Sequence, residues 1–166
     1  MSHRTLLAVA GADGYDCREV RRVPANAAVA RRLLADSTAG PGRLPNAAAV
    51  LDALEYDRHE TLALVSPDGS LRRYCVLPGA LGTFRSPPRF DGAGGGALVA
   101  VADDREDAEF RRLWDGARAL AAVAVDEDRV SAAAAGRLLG RALDRLTHER
   151  AVIVDLAADD PTSGRL

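Results

Sequence analysis

Short apolar runs without hydrophobic–polar alternation constrain the fold of this chain more than any other sequence feature. They lie at residues 6–10, 61–65, 97–102, 121–125 and 151–156, and residues 71–77 continue as a further strand after a turn. A run of this length, bounded by glycine or polar residues, is typical of a strand buried on both faces. Because amphipathic helical patterns separate most of these runs, we predict a three-layer α/β domain whose mostly parallel sheet has five to six strands.

Helical periodicity and turn residues organise the segments between these runs. Asn46 and Ser131 stand where the second and fourth predicted helices begin, and both are favoured N-cap residues. Ser66-Pro67-Asp68-Gly69 is a turn signal, so residues 61–77 are expected to form a hairpin. The positions expected to share one face of each helix are Asn26, Ala30, Leu33 and Leu34; Ala47, Val50, Leu51 and Leu54; Phe110, Leu113, Trp114 and Ala117; and Ala135, Leu138, Leu139, Ala142, Leu143 and Leu146.

Composition narrows the class of protein. The length of 166 residues, with 48% apolar and 28% charged residues, favours one soluble domain spanning residues 1–166. All 22 basic residues are arginine, which excludes Schiff-base lysine chemistry, a Walker A loop and a Ser-Lys hydrolase. The net charge of −2 predicts no nucleic-acid partner. With no apolar stretch of 18 residues and no signal peptide, we expect a cytoplasmic protein outside the membrane.

Four aspartates form the most visible candidate site. Asp13, Asp103, Asp126 and Asp155 each follow a predicted strand. The carboxyl ends of parallel strands meet at one sheet edge, where several carboxylates can hold Mg²⁺. Aspartate at such a junction is also a common helix-capping residue, so the same pattern is expected without any metal.

Two cysteines and two histidines are the candidates for nucleophilic chemistry. Cys17 lies in the loop expected after the first strand, where it is either an ordinary loop thiol or a thiol whose pKa is lowered by Arg18, Arg21 and Arg22. The three arginines could also bind an anion or form a solvated charge run. Cys75 lies inside a predicted strand and is expected to be a buried apolar residue. A Cys–His dyad requires one of these thiols to lie near His59 or His148, the two histidines outside the N-terminal segment.

The segment at residues 78–96 is the candidate interaction surface. It contains three prolines and six glycines, which predicts a long flexible loop. Phe84, Arg85, Arg89 and Phe90 lie within it, and aromatic residues and arginines are the usual anchors of protein interfaces.

Several segments, read in order, resemble bacterial caspase-like domains of peptidase clan CD. They are LLAVAG followed by Gly14-Tyr15, then VPANAAVARRLLAD, GPGRLPN, NAAAVLDAL and ETLALV, the Pro67–Leu71 turn into YCVLPG, and finally SAAAAGRLLGRAL with RAVIVDLAADDPTSGR. The similarity covers about two thirds of the chain and leaves residues 80–130 unmatched. It implies a caspase-like or Rossmann-like arrangement of strands and helices.

The catalytic residues of that family are absent from the matching positions. Ser66-Pro67 stands where the family has Gly-His-Gly, and Leu156-Ala157 stands where its cysteine follows the aspartate matched by Asp155. Thiolate attack needs both groups. The resemblance therefore implies a pseudo-peptidase without cofactor: a non-catalytic module that binds a protein partner, as in bacterial defence or signalling systems. The alternative is a Mg²⁺-dependent phosphoryl or nucleotide hydrolase that uses the four aspartates.

Overall fold

A computed structural model describes residues 4–56, 58–78, 96–146 and 152–153. Seven strands and four helices occur in these ranges. In chain order they are β1 (Thr5–Gly11), β2 (Gly14–Val20), α1 (Ala27–Asp36), β3 (Gly42–Leu44), α2 (Ala47–Asp52), β4 (Thr61–Val65), β5 (Leu71–Pro78), β6 (Gly96–Val101), α3 (Asp104–Asp126), α4 (Ala132–Leu146) and β7 (Val152–Ile153).

All seven strands belong to one sheet in the order β3-β2-β1-β4-β5-β6-β7. Among the described strands, only β1 and β4 pair in parallel, and every other neighbouring pair is antiparallel. The sheet is therefore mixed, and the prediction of a mostly parallel sheet is wrong. One physical reason is that tight turns join β1 to β2 and β4 to β5, and such turns create antiparallel neighbours.

Gly14 makes the first of these reversals sterically accessible. Gly11 pairs with Gly14, so a two-residue turn joins β1 to β2. Gly14 has a φ of 125°, and a Cβ at this position would lie 2.2 Å from the Leu44 carbonyl oxygen. Only glycine accommodates both conditions. The residues after Gly14, expected to be a loop, thus form a strand in which Cys17 is buried.

The pleat of the sheet divides the core between two faces. On one face, Leu6, Leu62 and Tyr74 pack with Val50 and Leu51 of α2. On the other face, α1 covers the β1 and β2 region, while α3 and α4 cover β5 and β6. Helices thus flank both sides of the sheet, which confirms the α/β class and the helical layers.

The prediction of a strand at residues 121–125 is wrong, because these residues are the last turns of α3. The helix extends over 23 residues and ends at Asp126, after which Asp128 adopts a left-handed φ of 55°. Alanine dominates residues 117–124 and is the strongest helix former, whereas β-branched residues favour strands. Ala122 is buried and Val123 is 53% exposed, a one-sided pattern suited to a helix on a sheet surface.

Local predictions from turns and caps are confirmed. The hairpin of β4 and β5 pairs Val65 with Leu71 across the predicted turn. The Asn46 and Ser131 side chains accept the Ala49 and Ala134 backbone N–H groups. Asn26, expected on a helix face, instead caps α1 through a 2.9 Å hydrogen bond from the Val29 N–H. The predicted last strand is described at Val152–Ile153, beside β6.

Candidate functional site

A groove of about 770 Å³ lies between the β2–α1 connection and the exposed side of α3. Glu60, the residue just before β4, also lines this groove. Its lining consists mostly of charged residues: Arg21, Arg22, Val23, Glu60, Asp104, Asp107, Ala108, Arg111, Arg112 and Asp115. The volume lies within the usual range for binding pockets. We refer to this feature as the charged groove.

Asp107 and Arg111 form the rigid floor of the charged groove. The Asp107 carboxylate is nearly buried and accepts hydrogen bonds from the Thr61 hydroxyl at 3.2 Å and from Arg111 Nη2 at 3.0 Å. Arg111 Nη2 also donates to the Glu60 carbonyl oxygen, and Arg111 Nη1 donates to the Val76 carbonyl oxygen. A buried carboxylate needs such partners, and this network fixes α3 against the first residues of β4.

Arg73 ties the two walls of the charged groove together. From the middle of β5 its Nη1 reaches Asp104 Oδ1 at 3.0 Å, at the start of α3. Its Nη2 donates to the Pro24 carbonyl oxygen at 2.8 Å, in the β2–α1 connection. On the far end of the groove, Asp115 lies 3.6 Å from Arg118. The carboxylates at both α3 ends of the groove therefore pair with arginines outside its lining.

Three arginines of the charged groove are exposed and lack such partners. Arg21, Arg22 and Arg112 form no ion pair with the described residues. Asp104, Asp107 and Asp115 in contrast each have an arginine partner. The lining is balanced in formal charge, yet its aspartates are paired, whereas three of its guanidinium groups have no ion pair with the described residues. Such groups bind carboxylates and other planar anions with two parallel hydrogen bonds.

A second polar cluster surrounds His59 beside the first residues of β4. His59 is buried, its Nδ1 accepts the Glu55 backbone N–H at 3.0 Å, and its Nε2 lies 3.7 Å from Glu19 Oε1. Arg58 holds the same Glu19 carboxylate at 2.9 Å. Burial lowers the pKa of His59 below its ordinary value, although Glu19 and Glu55 oppose the shift. The imidazole is thus neutral and has its Nδ1 lone pair occupied, which suits structure better than proton transfer.

Both cysteine thiols are sequestered in the core. Cys17 and Cys75 are fully buried, on opposite faces of the sheet. Burial is the largest cause that raises the pKa of Cys17 to about 12, and Arg18 offsets only part of it. Burial likewise raises the pKa of Cys75 far above that of a free thiol. The hypothesis that neighbouring arginines activate Cys17 is wrong, because β2 directs the thiol into the core while Arg18 pairs with Asp16. The alternative of an ordinary loop thiol is also wrong, because Cys17 lies in a strand.

The structure does not bring together the described members of the aspartate set. Asp13 occupies the β1–β2 turn, and Asp103 follows β6, three strand spacings or about 14 Å away across the sheet. Asp103 caps α3 by accepting the Glu106 N–H at 2.9 Å. Asp126 ends the same helix, about 34 Å from Asp103 at 1.5 Å per residue.

Asp155 lies outside the described residues, as do Phe84, Arg85, Arg89 and Phe90 of the predicted interaction loop and His148. Within the ranges that the structure describes, no group of three or more His, Cys, Asp and Glu side chains could hold a metal ion. The magnesium hypothesis and the interaction loop stay predictions.

Sequence reasoning noticed Arg21 and Arg22 but missed the charged groove. The two arginines lie more than 80 residues from Asp104 and Arg112 along the chain, and only the packing of α3 on the sheet brings them together. The sequence around Arg112 gives no signal of its own, because Glu109 stands three residues before it as an ordinary helical ion-pair neighbour.

The comparisons with known proteins add no information about the site. No protein-family model, no curated protein and no solved structure matches the chain. Among the described residues, no helix is both long enough and apolar enough to cross a membrane.

Proposed function

We propose that this chain is a non-catalytic module that binds a protein partner in the charged groove. The observation that carries the proposal is the state of the polar groups in that groove. Asp107, the one nearly buried carboxylate, is held by Thr61 and Arg111, and the arginines at the rim are exposed. Binding uses exposed, unpaired groups on a rigid floor, whereas acid–base catalysis needs a group free to exchange a proton.

The buried thiols and imidazole support the same proposal. Nucleophilic catalysis requires an accessible thiolate beside a base. Cys17 and Cys75 are buried and resist ionisation, and His59 is buried with its Nδ1 engaged. These three residues are the candidates for nucleophilic chemistry in the described part of the chain.

The finer proposal is that the module is a degenerate caspase-like domain, as in bacterial defence or signalling systems. It rests on the sequence segments quoted above and on the substitution of the family's catalytic positions, here Ser66-Pro67 and Leu156-Ala157. The mixed sheet adds no support of its own to this relation.

A steric block of the charged groove tests the binding role. Ala108 is exposed and lines the groove, so Ala108→Trp would fill it without disturbing the core. The test begins with peptides that are selected from a displayed library for binding to the full chain. We expect these peptides to bind the variant at least about tenfold more weakly, because a loss of about 1.4 kcal/mol in binding free energy corresponds to tenfold in affinity. Fluorescence anisotropy with labelled peptides measures the dissociation constants.

The matched control is Ala133→Trp, an exposed alanine on α4 outside the groove lining. It adds the same indole group to the surface and should leave the affinities unchanged. Selected peptides that bind Ala108→Trp as tightly as the parent protein, or a library that yields no binder at all, would overturn the proposed function.

A further inference from the structure

We infer that the ligand of the charged groove is an extended acidic peptide segment whose carboxylates pair with Arg21, Arg22 and Arg112. The inference rests on the proposed function and names the chemistry of the partner. It is carried by the pairing pattern of the groove, in which three exposed arginines have no ion pair with the described residues while each lining aspartate pairs with an arginine.

The pairing pattern separates structural arginines from available ones. Arg111 donates hydrogen bonds to Asp107 and to a backbone carbonyl oxygen. Arg73 likewise donates to Asp104 and to a backbone carbonyl oxygen. Arg21, Arg22 and Arg112 are exposed, and they have no ion-pair partner among the described residues. An incoming carboxylate therefore meets free guanidinium groups and does not have to displace an internal ion pair.

The position of these arginines suits a ligand that lies along the groove. Arg21 and Arg22 belong to the β2–α1 wall, and Arg112 belongs to the opposite α3 wall. The lining residues of α3 extend from Asp104 to Asp115, which is about 16 Å at 1.5 Å per residue. An extended peptide of about five residues covers that length at 3.3 Å per residue. A segment with several carboxylates could thus contact both walls.

The carboxylates of the groove favour a peptide over a nucleic acid. Glu60, Asp104, Asp107 and Asp115 lie among the arginines, and the whole chain has a net charge of −2. A duplex carries about one negative charge per 1.7 Å and would place some of them beside these acidic groups. Alternate side chains of an extended peptide are about 6.6 Å apart, so its acidic residues can be spaced to meet only the arginines.

The probe for this inference is a fluorescein-labelled peptide of alternating glutamate and serine, measured by fluorescence anisotropy on the full chain. The same peptide with glutamine in place of glutamate is its neutral counterpart. We expect the glutamate peptide to bind, the glutamine peptide to bind at least about tenfold more weakly, and added salt to weaken the first interaction. The variant is Arg21→Gln, Arg22→Gln and Arg112→Gln together, for which we expect a loss of tenfold or more.

The matched control removes the same number of charges elsewhere. Arg31, Arg32 and Arg137 are exposed, form no ion pair with the described residues and lie outside the groove lining. The triple change of these residues to glutamine should leave binding of the glutamate peptide within about twofold of the parent protein. Thermal unfolding of both triple variants verifies that each is folded.

The outcomes separate this inference from the proposed function. Equal loss in both triple variants, equal binding of the two peptides, or displacement of the glutamate peptide by an oligonucleotide at lower concentration would each overturn the inference. If library peptides still lose affinity for Ala108→Trp but ignore the arginine changes, the groove binds a partner of different chemistry. If Ala108→Trp has no effect on any peptide, the proposed function itself fails.

Discussion

His59 sits beside the start of β4 with only 3% of its surface exposed. Its surroundings contain both signs of charge: Glu19 and Glu55 favour the protonated ring, and Arg58 disfavours it. Removal from water outweighs these contributions, so the pKa of His59 falls below its ordinary value of 6.5. The single residue thereby links the stability of the whole fold to pH.

The sign of this link gives a prediction. The unfolded chain takes up a proton at His59 near pH 6.5, whereas the folded chain resists it to lower pH. The contribution of His59 to stability is therefore complete above pH 6.5 and is lost as the pH falls from there through the lowered pKa. We expect the free energy of unfolding, measured by urea titration, to decrease between pH 7.5 and pH 5.5.

His59→Asn isolates the contribution of the imidazole, since asparagine keeps an acceptor for the Glu55 N–H and does not titrate. The variant should lose part of the difference between pH 7.5 and pH 5.5. An identical pH dependence in the parent protein and in His59→Asn would contradict the assignment.

At the scale of elements, the packing of α3 on β5 and β6 shows how a helix is oriented on the sheet. Phe110 and Trp114 pack on β5 and β6, and the Trp114 Nε1–H donates to the Pro78 carbonyl oxygen at 3.0 Å. Leu113, expected on the same inward face, is 45% exposed. The helix turns by 100° per residue, so adjacent positions diverge once the larger Trp114 occupies the centre of the contact.

Truncation of neighbouring side chains on α3 tests this orientation. Trp114→Ala removes a fully buried indole and its hydrogen bond, and we expect it to lower the free energy of unfolding by about 3–5 kcal/mol. Leu113→Ala, one residue away, should change it by less than about 1 kcal/mol. Chemical denaturation followed by circular dichroism measures both. Comparable losses at the two positions would mean that α3 is rotated relative to the sheet.

At the scale of the whole molecule, the sheet divides the core between its two faces, and each face contains one cysteine. Cys17 packs with the α2 side, and Cys75 packs with the α3 and α4 side. Neither thiol is exposed, and burial holds both in the protonated form near pH 8. Reaction at either sulfur thus requires the sheet or its covering helices to open.

This arrangement predicts cooperative protection of the two thiols. At pH 8 we expect iodoacetamide to modify Cys17 and Cys75 at similar rates, each at least about a thousandfold slower than in denaturant, because both require global unfolding. Mass spectrometry of the two peptides over time gives the rates. Fast modification of one cysteine with protection of the other would show that the two faces of the sheet open independently.

The features of this fold that depend on near neighbours in the chain were predictable from sequence. The hairpin at Ser66–Gly69 follows from proline and glycine in their preferred turn positions, and Asn46 and Ser131 cap helices because their side chains reach N–H groups three residues on. The α/β class follows from apolar runs separated by amphipathic stretches. Each of these features involves only a few consecutive residues.

The candidate site was predictable only in fragments. From sequence, Arg18, Arg21 and Arg22 are one candidate anion site, of which only Arg21 and Arg22 line the groove. Asp107 is one of several acidic residues in the first turn of α3. Its burial and its bonds to Thr61 and Arg111 depend on where α3 settles on the sheet. The prediction of a magnesium site at the four aspartates depends on a parallel sheet, because the carboxyl ends of parallel strands lie at one edge.

By itself the sequence determined the class of the fold, its helix caps and its tight turns, because these are set by local sterics and hydrogen bonds within a few residues. Only the tertiary structure decided the direction of neighbouring strands, the continuation of α3 through residues 121–125, and the assembly of the charged groove. The groove joins Arg21, Glu60 and Arg112, which are distant in the chain. Their proximity results from packing of apolar surface, which is non-directional and leaves no short-range pattern in the sequence.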